Sequence, residues 1–224
     1  MAVAHTVHQH PLGILKTMPS SLVQSLFDGP LDIVGDVHGE IDALRSLMRH
    51  LGYAADGTHP DEKRLVFVGD LTDRGPDSPA VIDLVKSLVD AGRAQCVLGN
   101  HDLNILLGEH KHDNRWFFGE KWSLDRSGET PFESSGKLRY EERVSWWEEY
   151  TANPICVFGH YSNYRGETSL SSRAICVDFA VAKRWQERKQ PSFAGTFRGS
   201  LAAVRFPEGC VVFDNGDIEH LERP

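Results

Sequence analysis

The 224-residue chain has no run approaching the ~18 uninterrupted apolar residues that a membrane span needs. Met1 to Lys16 carries His5, His8 and His10 but no basic stretch leading into an apolar one, so no secretion signal is read there. These two absences point to the cytoplasm. Positive charge is also short. The chain has 24 Lys and Arg against 32 Asp and Glu, a net charge of −8. A basic face able to follow nucleic-acid phosphates is therefore not expected. An acidic protein can still handle phosphate where bound cations reverse the local sign. Cysteine is scarce: Cys96, Cys156, Cys176 and Cys210 sit among apolar neighbours, and none forms a Cys-x-x-Cys pair. That disfavours disulfides and a zinc site, and it predicts four buried thiols on core strands in a reducing compartment.

What is present fits one domain, since a single core can grow to about this size before chains split. Residues 1–30 have little pattern and read as an N-terminal arm, with the three histidines on a solvated tail. The domain occupies 31–224. Leu31–Val34 is an apolar run suited to a buried strand, followed by Ile41, Leu44, Leu47, Met48 and Leu51 at helical spacing and Gly52 as a stop. Leu65–Val68 predicts a second strand. Pro79 opens a second amphipathic helix that Gly92 ends, and Ala94–Leu98 predicts a third strand. The order β-α-β-α-β implies parallel strands, right-handed crossovers and helices on one face. Residues 108–153 are polar and aromatic (Trp116, Phe117, Phe118, Trp122, Trp146, Trp147), with a helix expected over Arg139–Tyr150. They read as a cap or insertion over the site. Beyond Pro154 the pattern turns to strands at Ile155–Phe158, Ala174–Val177, Leu201–Phe206 and Val211–Phe213.

Each of the first three strands runs into the same kind of turn. These are Gly35-Asp36-Val37-His38-Gly39, Gly69-Asp70-Leu71-Thr72-Asp73-Arg74-Gly75 and Gly99-Asn100-His101-Asp102. Parallel strands deliver their carboxyl ends to one sheet edge, where ligands of open α/β sheets collect. Singly, each motif is also an ordinary turn: an aspartate can cap a helix, and a histidine can sit in a satisfied loop. Three in order, each after a strand, are not explained by capping. Carboxylate, imidazole and amide oxygen suit a hard-to-borderline divalent cation such as manganese, iron or zinc. Two cations about 3.5–4 Å apart could clamp a phosphate and acidify a water, with Asp70 on the central strand as their bridge. Arg74 can grip phosphate oxygens through its planar fork. His101 is placed to protonate a leaving alkoxide, with Asp73 orienting its ring.

Together the three motifs resemble the signature of the calcineurin-like metallophosphoesterases, nearest the branch of phosphoprotein phosphatases and diadenosine tetraphosphate hydrolases. The resemblance is dense over 31–107 and resumes near 155. It implies an α/β fold, a four-layer α/β/β/α sandwich of two mixed sheets flanked by helices. It implies Asp36, His38 and Asp70 on one metal, and Asp70 and Asn100 on the other. Arg74 would hold phosphate, with Asn100 also lining the substrate, and Asp73 with His101 would serve the leaving group. Phe158-Gly159-His160-Tyr161 resembles the family's late Gly-His motif, making His160 a ligand. Cys176-Val177-Asp178-Phe179 resembles the strand end that follows, placing Asp178 behind the ligands.

Two departures stand out. Tyr161 replaces the usual Thr, and the family's additional histidine between the third motif and the late Gly-His is not found. Only His110 and His112 fall in that interval. The expected activity is hydrolysis of a phosphomonoester or phosphoprotein by a water held between two metals, most simply Mn²⁺. The alternatives are a dinucleoside polyphosphate hydrolase, or a metal- or phosphate-binding protein impaired by the missing histidine. The partner is a phosphorylated small molecule, nucleotide or phosphoprotein, with neither nucleic acid nor membrane expected.

Overall fold

A computed structural model of the chain describes residues 24–119, 132–134, 137–139, 145–152, 154–165 and 173–221. The early histidines, most of the expected arm and Trp122 lie outside the described residues. Strand β1 (Leu31–Val34) leads through helix α1 (Ile41–Leu51) to β2 (Arg64–Phe67), and helix α2 (Ser78–Asp90) leads on to β3 (Ala94–Cys96). The three strands are parallel, as the β-α-β-α-β pattern predicts. Asp77 caps α2, its carboxylate accepting from the Ala80 N–H at 3.0 Å, so Pro79 sits just inside the first turn.

A short helix α3 (Asn100–Leu106) opens on the third motif, which the sequence reading treats as a plain turn. Next come a 3₁₀ turn at His112–Asn114 and helix α4 (Arg115–Phe118). Strands β4 (Phe132–Ser134) and β5 (Lys137–Arg139) pair as an antiparallel hairpin. The helix expected over Arg139–Tyr150 is not found among the described residues. Arg139 ends a strand, and the described residues 145–150 hold a 3₁₀ turn at Trp146–Glu148.

Strands β6 (Cys156–Phe158) and β7 (Ala174–Cys176) form a small parallel sheet. A 3₁₀ turn at Val181–Lys183 runs into helix α5 (Arg184–Glu187). Strands β8 (Ala202–Phe206), β9 (Cys210–Phe213) and β10 (Ile218–His220) then complete the large sheet, in the order β10-β9-β8-β1-β2-β3. β8 returns antiparallel beside β1, so β1 lies in the middle of a mixed sheet.

Alternation along the strands sends side chains to two cores. Val34, Leu65, Phe67, Ala203 and Val212 pack under α1 and α2 with Leu44, Leu47, Val81 and Leu88. Ile33, Val66, Val204 and Phe213 face the other way, where the β6–β7 layer supplies Val157, Ile175, Val177 and Phe179. Full burial of side chains like these stabilises by about 1.5–3 kcal/mol each. Helices on one face of the mixed sheet and a second sheet on the other give the expected layered α/β sandwich. All four cysteines are free. Cys176 and Cys210 are buried, whereas Cys96 and Cys156 are only half-buried. No helix among the described residues is long and apolar enough to cross a membrane.

Candidate active site

The carboxyl ends of β1, β2 and β3 meet the loop after β6, and the backbone there is unusual. Of the seven non-glycine residues with positive φ among the described residues, five are predicted site residues: His38, Asp70, Asp73, Arg74 and His160. Such conformations are costly for ordinary side chains and persist where surrounding contacts over-determine them, commonly at functional sites. The turns also approach each other too closely for side chains between them. A Cβ on Gly99 would lie 2.1 Å from Asp70 Oδ1, and one on Gly159 would lie 1.8 Å from Asp36 Oδ1. Glycine is required at both places.

The floor of the site is buried and acidic. Asp36 is 3% exposed and Asp70 4%. Asp36 Oδ2 accepts from the His160 N–H at 3.0 Å, and Asp70 Oδ1 accepts from the His101 N–H at 2.9 Å. Burial, with the negative charges of Asp178 and Asp70 beside it, holds the Asp36 carboxyl well above its usual range. Burial likewise raises Asp178, whose Oδ1 accepts from the Ala180 N–H. His38 Nδ1 donates to the Thr72 carbonyl at 3.0 Å, which leaves the Nε2 lone pair facing the floor, 3.9 Å from Asp36 Oδ2. Burial first, then the positive charge of Arg74, holds His38 well below its usual range and therefore neutral.

The leaving-group residues form a second cluster against this floor. His101 Nδ1 meets Asp73 Oδ2 at 2.7 Å, and its Nε2 lies 3.1 Å from Arg74 Nη2. A guanidinium can only donate, so Nε2 accepts, and the ring proton sits on Nδ1 where it points at Asp73. Arg74 Nε donates to Asp113 Oδ2 at 2.8 Å. His101 also stands edge-on to His38, with ring centroids 4.8 Å apart. Donor atoms of His38, Asp70 and His101 lie within 4.8 Å of one another.

At the exposed lip, His160 Nδ1 meets Asn100 Oδ1 at 2.9 Å. The structure thus brings Asp36, His38, Asp70, Asp73, Arg74, Asn100, His101, His160 and Asp178 into one connected place. Aromatic side chains brace the His160 turn. Trp147 packs on Phe158 and stands edge-on to Tyr161 at 4.6 Å between ring centroids. His110 stacks on Phe118 at 4.0 Å.

Sequence reasoning missed three residues that matter here. Asp102 ties the second motif to the third: Oδ1 accepts from the Leu71 and Thr72 N–H groups and Thr72 Oγ1, and Oδ2 accepts from the Gly99 N–H. Its spacing three residues after Gly99 is the familiar signal of an acid folding back on a helix start. Asp113 and Trp116 have no such signal, because their partners lie about forty residues away.

The residues fit divalent cations. Buried carboxylates repel one another here, a neutral imidazole presents a free lone pair, and an amide oxygen sits at the lip, the hard-to-borderline set that such ions take. The family described as calcineurin-like phosphoesterase matches residues 29–193. The chain belongs to that family. It is therefore a metallophosphoesterase, a hydrolase acting on phosphate ester bonds, and its family uses divalent metal ions. One curated relative is the asymmetrical bis(5'-nucleosyl)-tetraphosphatase PrpE of Geobacillus thermodenitrificans. It is 50% identical over 243 residues, 85% of this chain and 96% of that protein. The PrpE of Halalkalibacterium halodurans is 40% identical over 116 residues, and there the match spans 50% of this chain and 44% of the relative. Among solved structures, a cold-active protein-tyrosine phosphatase from a psychrophilic Shewanella overlaps 86% of the chain at 17% identity with a TM-score of 0.48.

Proposed function

We propose that this phosphoesterase hydrolyses a dinucleoside polyphosphate, in preference to the phosphomonoester or phosphoprotein expected from the motifs alone. The observation that carries the reading is the 50% identity to a bis(5'-nucleosyl)-tetraphosphatase over 85% of the chain. Asp36, His38 and Asp70 would hold one cation, and Asp70, Asn100 and His160 the other, with Mn²⁺ our proposed metal. When bound, the cations supply charge neutralisation for the phosphate oxygens and a water acidic enough to ionise near neutral pH. The chain's own residues do the rest. Arg74 releases His101 and turns its fork onto the phosphate oxygens. His101 carries a proton on the freed Nε2 and delivers it to the leaving oxygen, while Asp73 holds Nδ1 and steadies the imidazolium. Asp178 sits behind Asp36 and fixes its orientation. The single domain over 31–224, with a cap or insertion at about 108–153, is part of the same reading. So is a reducing compartment such as the cytoplasm, which the four free thiols support.

The test is to give the Mn²⁺-loaded chain diadenosine tetraphosphate and, separately, p-nitrophenyl phosphate, resolving the products by anion exchange. The tetraphosphate should be cut into unequal nucleotides, and chelator or Asp70→Asn should stop it. Hydrolysis of the aryl phosphate with the tetraphosphate left intact would return the phosphomonoesterase reading. One tight ion per chain and turnover of neither substrate would leave a binding protein.

A further inference from the structure

Asp73 is 0% exposed, and both of its carboxylate oxygens are engaged. His101 takes Oδ2, and the indole N–H of Trp116 donates to Oδ1 at 2.6 Å. Three residues before Trp116, Asp113 holds Arg74, the neighbour of Asp73 in the chain. Two residues spaced i, i+3 on one short helical segment therefore grip two consecutive residues of the second motif. That segment is itself fastened. Asn114 is 0% exposed, its Nδ2 donates to the Glu109 carbonyl at 2.8 Å, and its Oδ1 accepts from the Lys111 N–H at 2.7 Å. Asp73 and Arg74 need outside support, since their φ values of 72° and 68° are unfavourable for two successive non-glycine residues. From these contacts we infer that Trp116 is a positioning residue of the leaving-group pair. It fixes the plane of the Asp73 carboxylate, and through that carboxylate the ring of His101.

The second contact removes a rotation. A carboxylate held at one oxygen can swing about its Cβ–Cγ bond, carrying the imidazole with it. Held at both oxygens, it cannot. The indole is a donor only and has a wide, rigid ring, so it fixes Oδ1 without competing for the His101 proton. A buried carboxylate oxygen stripped of its donor is also left without compensation. Only the N–H matters for this role, so Trp116→Phe is the informative change, because phenylalanine keeps the ring packed beside Phe117.

This inference rests on His101 acting as the acid for the leaving group, and the experiment separates the two. The full-length Mn²⁺-loaded protein and its Trp116→Phe and His101→Ala variants are assayed on phenyl phosphate and p-nitrophenyl phosphate. Phenolate is a poor leaving group that needs a proton, whereas p-nitrophenolate scarcely does. Trp116→Phe should lower kcat on phenyl phosphate by about tenfold, part of the ~10²–10⁴-fold that a general acid supplies. It should lower kcat on p-nitrophenyl phosphate much less and leave KM nearly unchanged. His101→Ala should show the same preference more strongly. A second readout does not depend on turnover: the low-field proton NMR signal of the His101 Nδ1–H, assigned by its loss in His101→Ala, should shift and broaden in Trp116→Phe. Equal losses on both substrates, or an unmoved imidazole signal, would overturn the role of Trp116. If His101→Ala itself fails to discriminate between the leaving groups, the acid role falls and takes this inference with it.

Discussion

Strand β1 carries two buried aspartates, one on the strand and one just beyond its end, and they live in opposite electrostatic worlds. Asp32 and Asp36 are 0% and 3% exposed. Asp32 receives both arms of Arg205, at 2.7 and 2.9 Å, and the Tyr53 hydroxyl at 2.8 Å. Asp36 receives one backbone N–H, from His160, and its burial, with Asp178 and Asp70 facing it, drives its carboxyl upward in pKa. A buried charge needs a partner. At the amino end of the sheet the protein supplies the partner from its own chain. At the carboxyl end it withholds one and leaves a place for a cation. The contrast, more than the mere presence of acids, distinguishes a scaffold from a site.

The largest effect should come from breaking the satisfied end. Arg205→Met leaves Asp32 as a buried charge with only Tyr53 for company, which should cost about 3–5 kcal/mol of stability by denaturant titration. The fraction that remains folded should keep its metal affinity and its kcat. A matching loss of kcat in the folded fraction would mean that the two ends of β1 are coupled and the comparison is wrong.

Breaking the unsatisfied end should have the reverse signature. Gly159→Ala drives a methyl into the Asp36 carboxylate, because the added Cβ would stand 1.8 Å from Oδ1. Activity should fall on the order of 10²-fold, equivalent to roughly 2.7 kcal/mol, with excess Mn²⁺ failing to restore it. The melting temperature of the metal-free protein should move little by comparison, since the turn lies at the half-buried rim beyond β6 and not in the core. Full activity in Gly159→Ala would remove Asp36 from the metal site.

How far each end could be read from the sequence follows from the range of its contacts. Asp36, His38, Asp70, Asn100 and His101 lie within short glycine-bounded motifs after apolar runs, so local pattern alone places them at the strand ends. The Asp32–Arg205 pair joins residues 173 apart through the antiparallel return of β8 to β1, and no local pattern specifies which late strand pairs there. The helical start of the third motif was legible in principle, from Asp102 three residues after Gly99. The helix expected over Arg139–Tyr150 shows the opposite failure. Trp146 and Trp147 have helical spacing from their neighbours, yet both rings pack across onto Phe158. Tertiary stacking takes the aromatics that a helix face would have used.

The finest test of the contrast is to relieve the repulsion without adding a cation. In the metal-free protein, burial and its carboxylate neighbours raise the Asp36 carboxyl above its unfolded value. A raised group contributes its stability in full below the unfolded value and loses it as pH climbs through the folded one. Metal-free protein should therefore weaken as pH rises from about 4 toward neutrality, where the crowded carboxylates must ionise together. Asp178→Asn keeps an oxygen to accept from the Ala180 N–H and removes one of the charges that oppose Asp36. It should flatten that fall and stabilise the metal-free chain near neutral pH by about 1 kcal/mol, a typical size for a single substitution. The same change should weaken Mn²⁺ binding, because a cation gains less from a site that has become less negative. Thermal melts of the two proteins across this pH range, with chelator and with Mn²⁺, read both effects. Were Asp178→Asn to destabilise the metal-free form at neutral pH, the carboxyl end of β1 would already be satisfied, and its likeness to the amino end would stand.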